Sequence, residues 1–135
     1  MTELVEIENK FYNDWFENEK KKVFRDIEGY VGSYPFFIFI KGTKEEPKCK
    51  FTRRLVEMLG KKNYSYHTFN ILGDERIRQW LKVFTKWPTF PQLFLNQKFV
   101  GGIDVVTELV EEDEFDAMVP QQCKALSTEN TVKKI

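Results

Sequence analysis

Few residues of this chain are of types that do covalent or redox chemistry: two cysteines, Cys49 and Cys123, and one histidine, His67. Cys49 is the one whose surroundings point to reactivity. It follows a stretch of loop composition (residues 42–48) and precedes Phe51, Leu55, Val56 and Leu59, which recur at helical spacing. A cysteine at that junction meets the unpaired N–H groups and the positive dipole end of a helix, and both favour thiolate over thiol. Lys48, Lys50, Arg53 and Arg54 add cationic charge close by in the sequence. The chemistry expected is that of a nucleophilic or metal-ligating thiolate, against the competing role of a small buried hydrophobe. Cys123 lies beyond the last apolar helix pattern in a polar stretch, as a resolving thiol for oxidised Cys49 or as an idle exposed one. His67 has no neighbouring ligand pattern.

The elements that must position Cys49 are legible in the hydrophobic pattern. Residues 36–40 (Phe-Phe-Ile-Phe-Ile) are unbroken by any polar residue, as expected of a central strand buried on both faces. Ahead of them, Leu4, Ile7, Phe11 and Trp15 follow a helical period, as do Val23, Ile27 and Tyr30. The charged and polar residues 17–22 lie between, so this is two helices or one with an exposed middle, stopped by Gly29 and Gly32. Behind Cys49, a helix over 50–59 ends at Gly60, and residues 64–71 read as a second strand. Gly73-Asp74 opens a helix with Ile77, Trp80, Leu81 and Phe84 inward and Arg76, Arg78 and Lys82 on its polar side. Trp87-Pro88-Thr89-Phe90-Pro91 ends it. Residues 92–95 and 98–100 form a hairpin around Asn96-Gln97, and Asp104 is placed to cap a last helix carrying Val105, Val106, Leu109 and Val110. The fold class is α/β, with a mixed sheet of two parallel strands and an antiparallel hairpin. The organisation is an N-terminal helical extension (1–19), one domain (20–118) and a polar tail (119–135).

At 135 residues the chain suits one domain with a core that needs no staples. Lys and Arg balance Asp and Glu at 21 each, which removes any global electrostatic drive toward nucleic acid or membrane. Two cysteines make no disulfide framework and fit a reducing compartment. The acidic N-terminus resembles neither a transit peptide nor a secretory signal, and no stretch approaches a membrane span, so a soluble cytoplasmic protein is expected.

Three blocks in order resemble the monothiol glutaredoxins of the thioredoxin-fold superfamily, across about residues 20–118. They are Lys41-Gly42-Thr43 followed by Pro47 and Cys49; Arg78-Gln79 through Trp87-Pro88-Thr89-Phe90-Pro91-Gln92; and Gly101-Gly102-Ile103-Asp104. The resemblance implies a glutathione site. In it Lys41, Arg78 and Lys82 pair the glycine carboxylate, and Phe51 lies beside the thiolate. Phe90 presents its main chain ahead of a cis Pro91 to the glutathionyl cysteine. The amides of Ile103 and Asp104 take the γ-glutamyl carboxylate, and the Asp104 carboxylate takes the ammonium. It further implies that Cys49 and glutathione, from each of two subunits, ligate a 2Fe-2S cluster that is passed to iron–sulfur client or assembly proteins. The alternative within the family is glutathione-dependent deglutathionylation by Cys49 without a cluster. A third reading is a thioredoxin-fold interaction module that docks partners through its N-terminal helix. The chain departs from the family motif Cys-Gly-Phe-Ser with Cys49-Lys50-Phe51-Thr52, and carries Trp80 where relatives usually have a small residue.

Overall fold

Every residue of Phe36–Ile40 is buried, because helices cover both faces of the strand it forms. In the computed structural model, which describes residues 2–125, the helices are α1 (Thr2–Gly32), α2 (Lys50–Gly60), α3 (Glu75–Thr85), α4 (Ile103–Glu111) and the short α5 (Phe115–Met118). The strands are β1 (Phe36–Ile40), β2 (His67–Asn70), β3 (Gln92–Leu95) and β4 (Lys98–Gly101), with 3-10 turns at Ile71–Gly73 and Gln121–Cys123. The sheet order is β2–β1–β3–β4, with β1 parallel to β2 and antiparallel to β3, and β3 antiparallel to β4. This is the mixed four-stranded sheet expected from the sequence. Asn96 and Gln97 both take positive φ, as a two-residue hairpin turn demands.

Alternation along β1 divides the core. Phe36, Ile38 and Ile40 face a cluster built with Leu55 and Leu59 of α2, Leu93, Val106 of α4 and Phe115 of α5. Phe37 and Phe39 face the other, with Val23, Ile27 and Val31 of α1, Ile77 and Leu81 of α3, and Phe94. The register brings four chain ends to one end of the sheet. Phe39 lies opposite Gln92, Ile40 beside Asn70, and Leu93 opposite Gly101. Lys41, Pro91, the start of α3 and the start of α4 therefore meet at that end.

Of the two readings of the N-terminal region, one continuous helix holds, and it ends at Gly32. Several expectations are corrected. Gly29 is no stop but sits inside that helix with open space around its Cα. The second strand is shorter than 64–71, because Tyr64 and Tyr66 turn their rings onto Phe36, Tyr64 also meeting Phe115. The first residues of the expected tail are packed, Val119 being buried and Gln121–Cys123 forming a 3-10 turn. Cys123 has no exposed surface, and its thiol is pushed up by burial against the opposing hydrogen bond of the Tyr34 hydroxyl, so it is neither idle and exposed nor a ready resolving thiol. The rest of the tail, 126–135, lies outside the described residues. Trp80 gains a reason: its ring lies 5.0 Å from that of Phe16 and 6.2 Å from that of Phe24, so it is the surface on which α1 rests against α3. Asp26 and Arg76 join the same two helices at 3.1 Å. No helix among the described residues is long and apolar enough to cross a membrane.

Candidate functional site

Cys49 is the N-cap of α2, in extended conformation. Its sulfur accepts the amide N–H of Thr52 at 3.4 Å and lies 3.3 Å from the Thr52 hydroxyl. Burial pushes the half-buried thiol up. The Thr52 hydroxyl, the amides of Thr52 and Phe51 and the Lys41 charge together outweigh it, and the thiol titrates below its ordinary range. Thr52 itself is fully buried, and its Oγ1 also accepts the Lys41 amide at 3.3 Å. One hydroxyl thus joins the end of β1 to the reactive sulfur.

The cations expected beside Cys49 are placed otherwise. Lys48 is held by Glu46 at 2.9 Å, Lys50 lies 5.1 Å from the centre of the Phe51 ring, and Arg53 and Arg54 are exposed on α2. The cation that acts on the sulfur is Lys41. The reason is geometric: adjacency in sequence at a helix start sends successive side chains to different faces, while Lys41 arrives from the strand.

The loop between Lys41 and Cys49 is tightly specified. Lys48 N–H donates to Lys41 O at 2.8 Å and Thr43 N–H to Glu46 O at 3.1 Å. Gly42 N–H donates to Asn70 Oδ1 at 3.0 Å, which accepts Leu72 N–H as well. Gly42 has φ of 94°, and a β-carbon there would sit 2.5 Å from Glu46 O, so only glycine fits. Lys44 donates to Tyr66 O and lies over the Tyr66 ring, fixing the loop's outer corner.

Arg78 and Lys82 rise one turn apart on α3, which Asp74 caps by accepting Ile77 N–H at 3.0 Å. Arg78 reaches Glu75 at 3.7 Å, yet its Nε is buried with no hydrogen-bond partner. The Phe90–Pro91 peptide is cis, and both side chains are buried. Gln92 Nε2 donates to Trp87 O at 3.0 Å and Thr89 O at 3.2 Å, folding the Trp-Pro segment onto the start of β3. A β-carbon on Gly102 would meet Trp87 Nε1 at 3.1 Å and Pro91 O at 3.2 Å, so the start of α4 packs against Pro91 with no room to spare. Gly102, not Asp104, is the N-cap of α4. Having no side chain it caps nothing, and Asp104 stands exposed in the first turn while Ile103 is buried.

Contacts join Lys41, Cys49 and Thr52, with Phe51 exposed beside them, and set the start of α4, with Ile103 and Asp104, against Pro91; Arg78 and Lys82 share only their helix, α3. No described hydrogen bond or ion pair links Arg78 or Lys82 to Cys49. Two supporting residues escaped the sequence reading. Gln92 had a signal, a polar residue beginning an apolar strand. Asn70 had none, since its role depends on register.

A four-stranded mixed sheet with a helix opening on a half-exposed, low-titrating cysteine defines a thioredoxin-fold thiol protein. The Glutaredoxin family profile matches residues 36–100. Over 90 residues, two thirds of the chain, it is 52% identical to Monothiol glutaredoxin-4 of Schizosaccharomyces pombe, covering 37% of that protein. Against Glutaredoxin-3 of Homo sapiens it is 41% identical over 90 residues, covering 27%. The chain thus spans about a third of the length of these curated relatives. Among solved structures it resembles a monomeric truncated mutant of Trypanosoma brucei 1-C-Grx1, with TM-score 0.66 and 33% identity over 76% of this chain and 96% of that one. The fold also matches a buckwheat glutaredoxin–glutathione complex, with TM-score 0.69 and 23% identity over 82% of this chain and 98% of that one. The chain belongs to the glutaredoxin family, among the monothiol glutaredoxins.

Proposed function

We propose that this chain binds glutathione and, together with it, uses Cys49 to ligate a 2Fe-2S cluster between two copies of itself, for delivery to iron–sulfur client proteins of the cytoplasm. The observation that carries the reading is the single thiolate: Cys49 is half-exposed and stabilised as an anion, and a buried threonine occupies the third position after it where a second thiol would close a disulfide. The residues present suit glutathione. The unpartnered Arg78 Nε calls for an anion, Lys41 brings a cation to the same end of the sheet, and the α4 amides lack a capping side chain. Lys82 reinforces the carboxylate site, Phe51 flanks the thiol, the Phe90 main chain ahead of Pro91 takes the glutathionyl cysteine, and Asp104 takes the ammonium.

The cluster supplies iron and sulfide for transfer; this chain supplies one ligand. In this reading the four thiolates of the cluster would come from Cys49 of two copies and two glutathione molecules. Lys50 favours the second reading, monothiol deglutathionylation. Its side chain lies over the Phe51 ring directly after Cys49, and its bulk, where the family motif has glycine, would crowd a cluster held between two copies. In that reading the Cys49 thiolate attacks the glutathionyl sulfur of a glutathionylated protein and the protein thiolate leaves; a free glutathione then attacks the same sulfur, freeing the Cys49 thiolate and departing as glutathione disulfide. Anaerobic reconstitution with iron, sulfide and glutathione, read by visible absorption, separates the two. A band present in the protein and absent in Cys49→Ser supports the carrier; no band with glutathione still bound supports the oxidoreductase.

A further inference from the structure

Half of α1 has nothing to lie on. A 31-residue helix is about 46 Å long, yet none of its described side chains before Phe16 is even partly buried. Tethering begins at Phe16, against Trp80. The projecting part is not polar. Val5, Ile7, Phe11, Tyr12 and Trp15 are each more than half exposed, Phe11 by 76%. Ile7, Phe11 and Trp15 recur every four residues along one face, and with Tyr12 and Glu8 they line a shallow groove. Three aromatic side chains of 150–250 Å² each, more than half exposed, present roughly 300 Å² of apolar surface before the aliphatic residues are added, and Trp and Tyr are the usual anchors of an interface. The family match begins at residue 36, so this face is no part of what makes the chain a glutaredoxin.

Charge selects the occupant. In a chain with equal numbers of acidic and basic residues, residues 3–19 carry six acids (Glu3, Glu6, Glu8, Asp14, Glu17, Glu19) against Lys10 alone, a net charge of −5. A second copy pairing over the apolar residues would set two such segments side by side, and an anionic lipid surface would be repelled. Of the three lysines that follow, Lys22 pairs with Glu19 at 3.8 Å and Lys20 lies over Phe24, and Lys21 alone is left to offset the acids. We propose that the projecting half of α1 docks a basic amphipathic helix of another protein, with apolar side chains at helical spacing between Ile7, Phe11, Tyr12 and Trp15 and Lys or Arg flanks against the acidic rim.

The test uses the full chain and two labelled synthetic peptides of roughly 18 residues, long enough to form a helix. Both have the same leucine stripe, one with lysine flanks and one with glutamate flanks. Anisotropy titration should show the lysine peptide bound at least tenfold more tightly, with affinity falling steeply between ~50 and ~300 mM salt. The double variant Phe11→Ser, Trp15→Ser should weaken it at least tenfold while helical content and glutathione binding stay unchanged. Equal affinity for the two peptides, binding of neither, or indifference to the double variant overturns the proposal. Concentration-dependent dimerisation of the chain alone, abolished by the double variant, reassigns the face to a second copy. Variant-sensitive sedimentation with phosphatidylserine vesicles reassigns it to lipid, and either result overturns the proposal as well.

Discussion

Replacing Thr52 by valine keeps the shape of a fully buried side chain and removes the hydroxyl that lies 3.3 Å from both the Cys49 sulfur and the Lys41 amide. A hydrogen bond to an ionised acceptor contributes about 1.5–3 kcal/mol, and the half-exposed sulfur argues for the low end. About 1.4 kcal/mol corresponds to a tenfold smaller thiolate population at any pH below the midpoint of titration. A more basic thiolate is also a better nucleophile. With a Brønsted coefficient near 0.45 each remaining thiolate reacts about threefold faster. The net expectation is alkylation about threefold slower than the parent at low pH and about threefold faster at high pH, so the two profiles cross. Iodoacetamide modification of the Cys49 peptide, followed by mass spectrometry from about pH 5 to 10, reads this without interference from buried Cys123. Superimposed profiles, or profiles displaced in parallel, would refute a direct hydrogen bond from the hydroxyl to the thiolate.

Gly42→Ala forces a β-carbon to 2.5 Å from Glu46 O at a positive φ, so denaturant unfolding should show a loss of more than about 1 kcal/mol, with weakened glutathione binding because the loop leading to Cys49 must shift. Trp80→Ala removes the partly buried ring beneath Phe16 and Phe24, and should cost roughly 1–3 kcal/mol. Hydrogen exchange should then accelerate in α1 ahead of the sheet. The Asp116 carboxyl is held below its ordinary range by the Tyr64 hydroxyl, which donates to it at 2.6 Å, and by Lys124 at 3.3 Å. A depressed carboxyl gives its stability above the ordinary range and loses it as pH falls through the folded value. Asp116→Asn should therefore be less stable by under about 1 kcal/mol at neutral pH, with the difference vanishing in acid melts. Cys123 should resist alkylation in the native protein and react at once in denaturant; equal reactivity in both would contradict its burial.

The sheet was readable because its signals are local. An apolar five-residue run, paired prolines and an Asn-Gln hairpin each fix a short segment, and parallel pairing follows from an intervening helix. What the sequence hid depends on packing between distant segments. Asn70 reads as an ordinary strand end until register sets it beside Gly42. Cys123 stands among polar neighbours, and its burial rests on a turn held by Cys123 N–H donating to Pro120 O and by its carbonyl accepting Ser65 N–H at 2.8 Å. Asp104 has the right type for a cap, yet the chain enters α4 two residues early, with Gly102 as N-cap packed closely against Trp87 and Pro91. Sequence proximity points to Lys48, Lys50, Arg53 and Arg54 as the cations beside Cys49, whereas electrostatics follows distance in space and selects Lys41.

These relations bear on why one thiol suffices. Position 52 lies beneath the first turn of α2, sealed from solvent, and its hydroxyl serves the sulfur and the main chain of β1 together. A side chain there that kept the sulfur anionic without competing to oxidise it leaves Cys49 with only external partners: another thiol, a mixed disulfide or a metal. Lys41 works in two ways from one place, its amide bound to Thr52 and its charge felt by the sulfur, so disturbing the end of β1 disturbs both. Lys50 takes no part in that arrangement; it lies over Phe51 on the outward side of the helix turn. The thiolate is therefore set by buried Thr52 and half-buried Lys41, whereas Lys50 stands exposed next to the sulfur in sequence. Lys50→Gly should leave the Cys49 pH profile in place while changing cluster retention, and a change in the profile instead would place Lys50 among the groups that ionise the sulfur.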